Sequence, residues 1–426
     1  MDKSSRIVIV GAGVFGLSTA LELAQQGYTN IIILDRHVPP VPDGSSVDIS
    51  RIIRFDYGDA TYTKIAKEAY DTWSTSPLSR DVFFKSPFAF LANKDYGKQY
   101  INRCTARLDE LGLPWEELAD TEATKAAFPL LYSTLPKMKL SGYCNRNAGW
   151  ADAQKAITVV RDQCTEHGVS FLSGSRGTVT GFASSKDGSI IAAKTVSGHD
   201  VSGDHFILAA GAWSSKLVSM HNSTIATGQV LGYIKLTPSE VSDLKDLPIY
   251  INFDSGWFCF PPHEETGLLK VAVHGWGYTR TDNKQGGLSA PPTAPRHCRA
   301  NFVPEDGVAR LRAGLKEILP ALEDREFERT AICWYHDTPS GDFILDHHPE
   351  HPNLFLATGG SGHGFKFLPV LGKYTVRALM KSLPKELALK WRFRTEYKGV
   401  DDVFKGDGSR GGPERRELTV QEKARL

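Results

Sequence analysis

The sequence predicts an α/β protein in which a Rossmann-like, dinucleotide-binding domain is interleaved with a second domain built on a mixed β-sheet. Three stretches carry that prediction. Arg6-Ile7-Val8-Ile9-Val10 followed by Gly11-Ala12-Gly13-Val14-Phe15-Gly16 reads as strand, tight turn and helix. The middle of the chain is rich in strand and turn signals, including a hairpin of Trp257 to Phe260 and Leu268 to His274. Near the far end, Asn353 to Thr358 opens through Gly359-Gly360-Ser361-Gly362-His363-Gly364 into a further helix.

In the first stretch, mostly β-branched residues make a buried strand. Gly11 permits the turn, Gly13 lets backbone approach a pyrophosphate, and Gly16 lets the helix pack on the strand. The helix start offers free N–H groups and a positive dipole end to phosphates. A second strand, Asn30 to Leu34, ends in Asp35, placed to accept hydrogen bonds from an adenosine ribose and unsuited to the 2′-phosphate of NADP. These residues leave FAD and NAD both open.

Length and composition narrow the class. A chain of 426 residues, 41% hydrophobic, can bury a sizeable core and is expected to form two domains. With 50 basic against 49 acidic side chains and no long charge run, neither nucleic acid nor a membrane surface is the expected partner; a small molecule is. No apolar run reaches the roughly 18 to 20 residues that span a bilayer. Met1 to Ser5 runs straight into the first strand, so no leader is expected. The cysteines are scattered without a C-x-x-C pair, which suggests neither zinc nor a disulfide framework and hence reduced thiols. The ending Ala424-Arg425-Leu426 reads as a peroxisomal address, with the cytoplasm as the alternative location.

Further elements follow from periodicity. Helices are expected at Tyr62 to Trp73, Ala153 to Gly168, Glu305 to Leu319 and Leu368 to Leu383, and strands at Phe88 to Ala92, Val169 to Leu172, His205 to Ser214, Phe327 to Tyr335 and Phe343 to Asp346. Gly142 to Asp152 and Asp282 to Val303 read as loops, and the chain beyond Pro384 as a surface arm or disordered tail. The domain reading assigns 1–86, 150–225 and 330–385 to the dinucleotide domain, 87–149 and 226–329 to the substrate domain, and 386–426 to the arm. By composition alone, Arg51 and Arg54 are surface salt-bridge partners, Lys270 an edge-strand lysine and Cys333 a buried small hydrophobe.

Six motifs in one order change those readings: the opening fingerprint; Ser50-Arg51-Ile52-Ile53-Arg54 with Asp56-Tyr57-Gly58; Leu208 to Trp213; Leu269 to His274; Cys333-Trp334-Tyr335; and Ser361 to Phe367. From about Arg6 to Leu383 the chain resembles the FAD-dependent amine oxidases typified by monomeric sarcosine oxidase, especially the fungal L-pipecolate, saccharopine and fructosyl-amino-acid oxidases. The resemblance implies FAD, an amino acid that loses a hydride to flavin N5, an imine product, and reoxidation by O2 to hydrogen peroxide, in a monomer. It implies a cofactor site of Gly11, Gly13, Val14, Phe15, Gly16, Asp35, Arg36, Ser50, Arg51, Cys333, Gly362, His363, Gly364 and Lys366, with Cys333 joined to the flavin. Arg54 and Lys366 match a clamp for the substrate carboxylate, a forked guanidinium with a point charge. Lys270 matches a lysine over the flavin ring, where a fixed cation stabilises charge developing on O2. Arg51 matches a second cation there, and His274, on the same strand face as Lys270, lines the same cavity.

Two positions depart from the small-amine branch: Val47 stands where a histidine is expected, and Phe258, a substrate-site candidate, where a tyrosine is. Both losses of polarity argue against sarcosine itself. The paired arginines argue against a fructosyl substrate. A saccharopine- or pipecolate-type secondary amino acid is therefore the leading expectation. A fructosyl-amino-acid oxidase, a biosynthetic tailoring oxidase, a flavin-binding scaffold without turnover and an NAD-dependent dehydrogenase are the alternatives. Retention of Arg54, Lys270 and Lys366 together argues against the scaffold.

Overall fold

The computed structural model describes residues 1–131, 139–282, 287–292, 301–397 and 406–426. Its first layer is a six-stranded sheet in the order Ile344–His347, Leu354–Thr358, His205–Leu208, Ile7–Val10, Ile31–Leu34, Ser170–Leu172. All neighbours are parallel except the edge pair Ile344–His347 with Leu354–Thr358. Central strands of such a sheet are covered on both faces, which is why Ile7–Val10 is apolar throughout and buried at every position. Helix Val14–Gln25 lies against this sheet and against helix Leu368–Leu379, so the first and last motifs of the chain meet. A Cβ on Gly372 would stand 2.1 Å from the Ser18 carbonyl oxygen, and the close crossing of those two helices depends on its absence.

The second layer is a ten-stranded mixed sheet. Its spine is Ile225–Lys235, paired antiparallel with Arg329–Asp337 on one side and Leu268–Val273 on the other. Being flanked and covered, the spine is buried at every position but Lys235. Trp257–Cys259, Ile249–Asn252, Phe88–Ala92 and Ser141–Asn145 extend the sheet. Helix Glu305–Ile318 covers its back through Leu311, Leu315 and Ile318, with Trp257 seated under Gly314. A small sheet of Arg51–Ile53, Gly149–Ala151 and Phe83–Lys85 joins the two halves.

Three expectations need correction. Gly142 to Asp152 is not a loop: Ser141–Asn145 pairs with Phe88–Ala92, and Gly149–Ala151 pairs with the strand that carries Arg51. Arg329–Asp337, read mostly with the dinucleotide domain, is hydrogen-bonded along the spine of the second sheet. The tail is not a loose arm over its described residues. Trp391 is 1% exposed, Arg416–Glu417 adds a strand beside Tyr278–Thr279, and Arg410 forms a bidentate ion pair with Asp337. The tail's glycines obscure these anchors, because compositional bias says nothing about a few well-partnered side chains.

The expected loop from Asp282 to Val303 falls partly outside the described residues, as does Cys298. The five described cysteines are free thiols. No helix among the described residues is long and apolar enough to cross a membrane.

Candidate active site

A cavity of about 690 Å³ runs between the two layers and connects both glycine-rich loops. One end is formed by Gly11 to Phe15, Asp35 and Arg36. Gly11 has φ +112°, and a Cβ there would lie 2.3 Å from the Ala209 carbonyl oxygen, so neighbouring strands can meet here only around a glycine. Asp35 accepts hydrogen bonds from the Ala12 N–H (2.7 Å) and the Arg36 N–H (2.6 Å). Arg36 is held over the Trp213 ring by a fork to Asp43. Gly16 is not part of the wall; it packs beneath Gly11 and lets the helix approach the strand.

At mid-cavity the strand registers converge. Tyr233 on the spine stands opposite Lys270 on one neighbour and Arg329 on the other, and Cys333 stands opposite Gln229. Lys270 is 1% exposed in a central strand. Its Nζ donates to the Ser50 carbonyl oxygen (2.7 Å), pairs with Asp48 Oδ2 (2.7 Å) and lies 4.8 Å from the centre of the Phe260 ring. Burial pushes Lys270 down to about 8 against the pull of Asp48. Arg51 pairs with the same Asp48 and donates to the Ser45 carbonyl (3.0 Å) and the Cys333 sulfur (3.6 Å). Burial raises the Cys333 thiol, and Arg51 opposes the rise. Among the described residues the buried Ser50 hydroxyl has no hydrogen-bond partner, and Ser50 stands outside the cavity wall.

The other end holds the remaining candidates. The Arg54 guanidinium lies over Phe88 (5.0 Å), Tyr57 (5.3 Å) and Phe90 (5.7 Å), and donates to the Asp56 backbone carbonyl. Lys366, buried, donates to the Tyr57 hydroxyl (2.8 Å) and the His363 carbonyl (3.3 Å). Burial, then the charge of Arg54, pushes Lys366 well below lysine's ordinary range. Among the described residues no carboxylate is hydrogen-bonded to either cation. His274 faces the Tyr335 hydroxyl (3.4 Å); burial, followed by Arg410, Arg54 and Lys366, keeps it neutral. Phe258 forms apolar wall. Ser361 and Gly362 have φ +44° and +76°, so the loop that carries His363 and Gly364 turns sharply around the Tyr335 ring.

The residues fit FAD. The cavity joins the glycine turn and the acid beside it to the half-buried thiol at Cys333 and the second glycine-rich loop. Away from it, His221, His348 and Glu350 converge. His348 has no lone pair to offer a cation, since Nδ1 accepts from the Glu350 N–H and Nε2 bonds the Ser219 carbonyl.

Sequence reasoning missed Asp48, Tyr233 and Arg410. Asp48, three residues before Arg51, was the most accessible of them, because an acid near an arginine is a salt-bridge signal at any separation that folds back.

Residues 6–378 match the family described as DAO, FAD dependent oxidoreductase. L-saccharopine oxidase of Schizosaccharomyces pombe is 31% identical over 415 residues, 93% of this chain and 95% of that protein. Monomeric sarcosine oxidase of a Bacillus species is 29% identical over 384 residues, 88% of this chain and 91% of that one. The crystal structure of fructosamine oxidase (Amadoriase II) of Aspergillus fumigatus in complex with FSA superposes with a TM-score of 0.88 at 28% identity, covering 98% of this chain and 96% of that one.

Proposed function

The chain belongs to the family of FAD-dependent oxidoreductases, and from that premise we propose that it oxidises an N-substituted or cyclic secondary amino acid of the saccharopine or pipecolate type, with O2 as acceptor and hydrogen peroxide as product. One observation carries the reading: two deeply seated basic side chains, Arg54 and Lys366, line the cavity, and among the described residues neither has a carboxylate hydrogen-bonded to it. An amino acid carboxylate completes that site.

FAD, when bound, accepts the hydride and passes the electrons on to O2. The side chains bind and orient the substrate. Arg54 presents a planar fork and Lys366 a point charge, which together fix the carboxylate and hence the carbon that reacts. The positive field of Arg54, Lys366 and Arg410 favours the substrate amine in its unprotonated form, the form that can release a hydride. His274, neutral, adds no competing charge to the substrate carboxylate. Lys270, a buried cation paired with Asp48 beside the Phe260 ring, stabilises negative charge as it develops on O2. Cys333, with Arg51 beside its sulfur, is the residue we assign to covalent attachment of the flavin.

Action as a monomer and residence in peroxisomes belong to the same proposal. The address rests on Ala424-Arg425-Leu426 alone. Leu426 is 5% exposed and packs into the apolar core of the second sheet, so a receptor that reads it has to draw helix Val420–Arg425 away.

The test is anaerobic mixing of the purified yellow protein with saccharopine, pipecolate, sarcosine and fructosyl amino acids, followed by air. Bleaching by a secondary amino acid and recovery with peroxide release is the expected outcome. Bleaching by fructosyl amino acids alone would replace the substrate class, and a colourless protein would overturn the reading.

A further inference from the structure

We propose that Asp48 is a positioning residue for the oxygen half-reaction: one buried carboxylate gathers Lys270 and Arg51 into a single charged unit and keeps Lys270 in its ammonium form. The inference rests on the assignment of Lys270 to O2 reduction made above.

The geometry is complete at every lone pair of this carboxylate. Oδ2 receives Lys270 Nζ at 2.7 Å and the Arg51 guanidinium. Oδ1 receives the Tyr233 hydroxyl at 2.8 Å and the N–H of Ile49 at 2.8 Å. The side chain of Asp48 is 1% exposed. Three separate elements are pinned by it: the strand that starts at Arg51, the spine through Tyr233 and the strand of Lys270. Asp48 is absent from the wall of the main cavity, where Arg51 and Lys270 both appear. It instead borders a second, smaller cavity of about 270 Å³ on the other side of the cluster. It therefore acts through its partners and touches neither substrate nor cofactor site.

The electrostatics explain why such a residue is needed. Two cations taken from water into one place repel each other and each loses hydration; one carboxylate between them offsets both effects. With Asp48 present, the unit carries one net positive charge. The groups that face Lys270 are Asp48, Arg51, Cys333 and the Phe260 ring, and those around Asp48 add Tyr233, itself under the Arg329 guanidinium at 4.1 Å. Of these, Asp48 is the ionised acid. Burial would raise its carboxyl, but Lys270 and Arg51 together hold it far below the usual range, so it stays charged at any working pH. Burial already lowers Lys270 to about 8 with Asp48 in place. Without that charge, Arg51 remains beside Lys270 and drives it lower still, and the lysine becomes a neutral amine at neutral pH.

The experiment compares the flavin-loaded wild type with Asp48→Asn, Asp48→Glu, Lys270→Met and the Asp48→Asn/Lys270→Met double variant. Reduction by substrate and reoxidation by O2 are followed separately by stopped flow from pH 6 to 10, and each protein is melted. In the wild type, reoxidation is expected to fall as pH rises through about 8. In Asp48→Asn the midpoint is expected to move down by about two pH values, slowing reoxidation about tenfold at about pH 7 while reduction changes far less. Asp48→Glu restores most of the rate. In the melts, the double variant loses less than the sum of the single variants, because removing Lys270 relieves the repulsion that Asp48→Asn exposes.

A reoxidation profile for Asp48→Asn that superimposes on the wild type, with Lys270→Met slow, overturns the positioning role and leaves the oxygen assignment standing. Additive melts with equal slowing of both half-reactions mean a structural part only, and also overturn it. Wild-type reoxidation in Lys270→Met removes the assignment on which the inference rests, and the inference with it.

Discussion

Replacement of Arg54 by methionine should weaken substrate binding without weakening the fold. The guanidinium sits in a box of Phe88, Phe90 and Tyr57 and donates a hydrogen bond to the Asp56 backbone carbonyl. Asp56 acts on it electrostatically, but that carboxylate is hydrogen-bonded to Asn145. A desolvated cation partnered mainly by ring faces and one carbonyl contributes little to stability. Methionine fills a similar volume among the same rings, so the melting temperature of the variant should be no lower than that of the wild type. Binding responds differently. A forked guanidinium makes two charge-assisted hydrogen bonds to a carboxylate, each about 1.5 to 3 kcal/mol; at the low end the pair gives about 3 kcal/mol, or roughly 10²-fold in Kd. Lys366 stays in place, so the loss should not greatly exceed that. The assay is anaerobic titration of flavin bleaching, once with the amino acid and once with its uncharged amide. The expected result is a loss of about 10²-fold for the acid and little for the amide. Equal losses for both, or a clear fall in melting temperature, would refute the assignment of Arg54 as a carboxylate receptor poised at the cost of its own solvation.

Other outcomes follow from the same geometry. Cys333→Ala should yield protein whose flavin is released by acid precipitation, whereas wild-type flavin should stay with the pellet; free flavin in both would remove the covalent assignment. Burial lifts Asp56 from 3.8 to about 6, so between those values the folded chain holds a proton that the unfolded chain has released. The stability that results is complete below about 3.8 and lost as pH rises through about 6, roughly 3 kcal/mol in all. The melting temperature of Asp56→Asn relative to the wild type should therefore climb between pH 4.5 and 7.5, and a flat difference would count against a protonated Asp56. Arg410→Ala leaves Asp337 buried without its bidentate partner, a change of about 3 to 5 kcal/mol in docking the tail. Limited proteolysis should then cut within 406–426 faster than in the wild type, with a matching fall in kcat/KM; unchanged cleavage would mean that the ion pair does not hold the tail.

Much of this protein was legible in the sequence because the relevant signals are short-range. The βαβ opening depends on β-branched runs, glycine spacing and one acid at the end of the next strand, all within about thirty residues. Strand Phe88–Ala92 and helix Glu305–Ile318 were equally plain, the first as a continuous apolar run and the second as a helical apolar repeat. The buried basic residues were different. Composition favoured surface roles for Arg54 and Lys270, and only the ordered motifs around them pointed inward. The meeting of Asp48, Arg51, Tyr233, Lys270 and Cys333 was decided by tertiary structure. It depends on a long strand whose two neighbours are in a particular register, and a shift of one residue would turn Tyr233, Lys270 or Cys333 to the opposite face. The tail shows the same limit from the other side. Its glycines and charges determine that it cannot form a core of its own, but whether it stays free depends on Asp337 and Tyr278, residues that fold beside it from other parts of the chain.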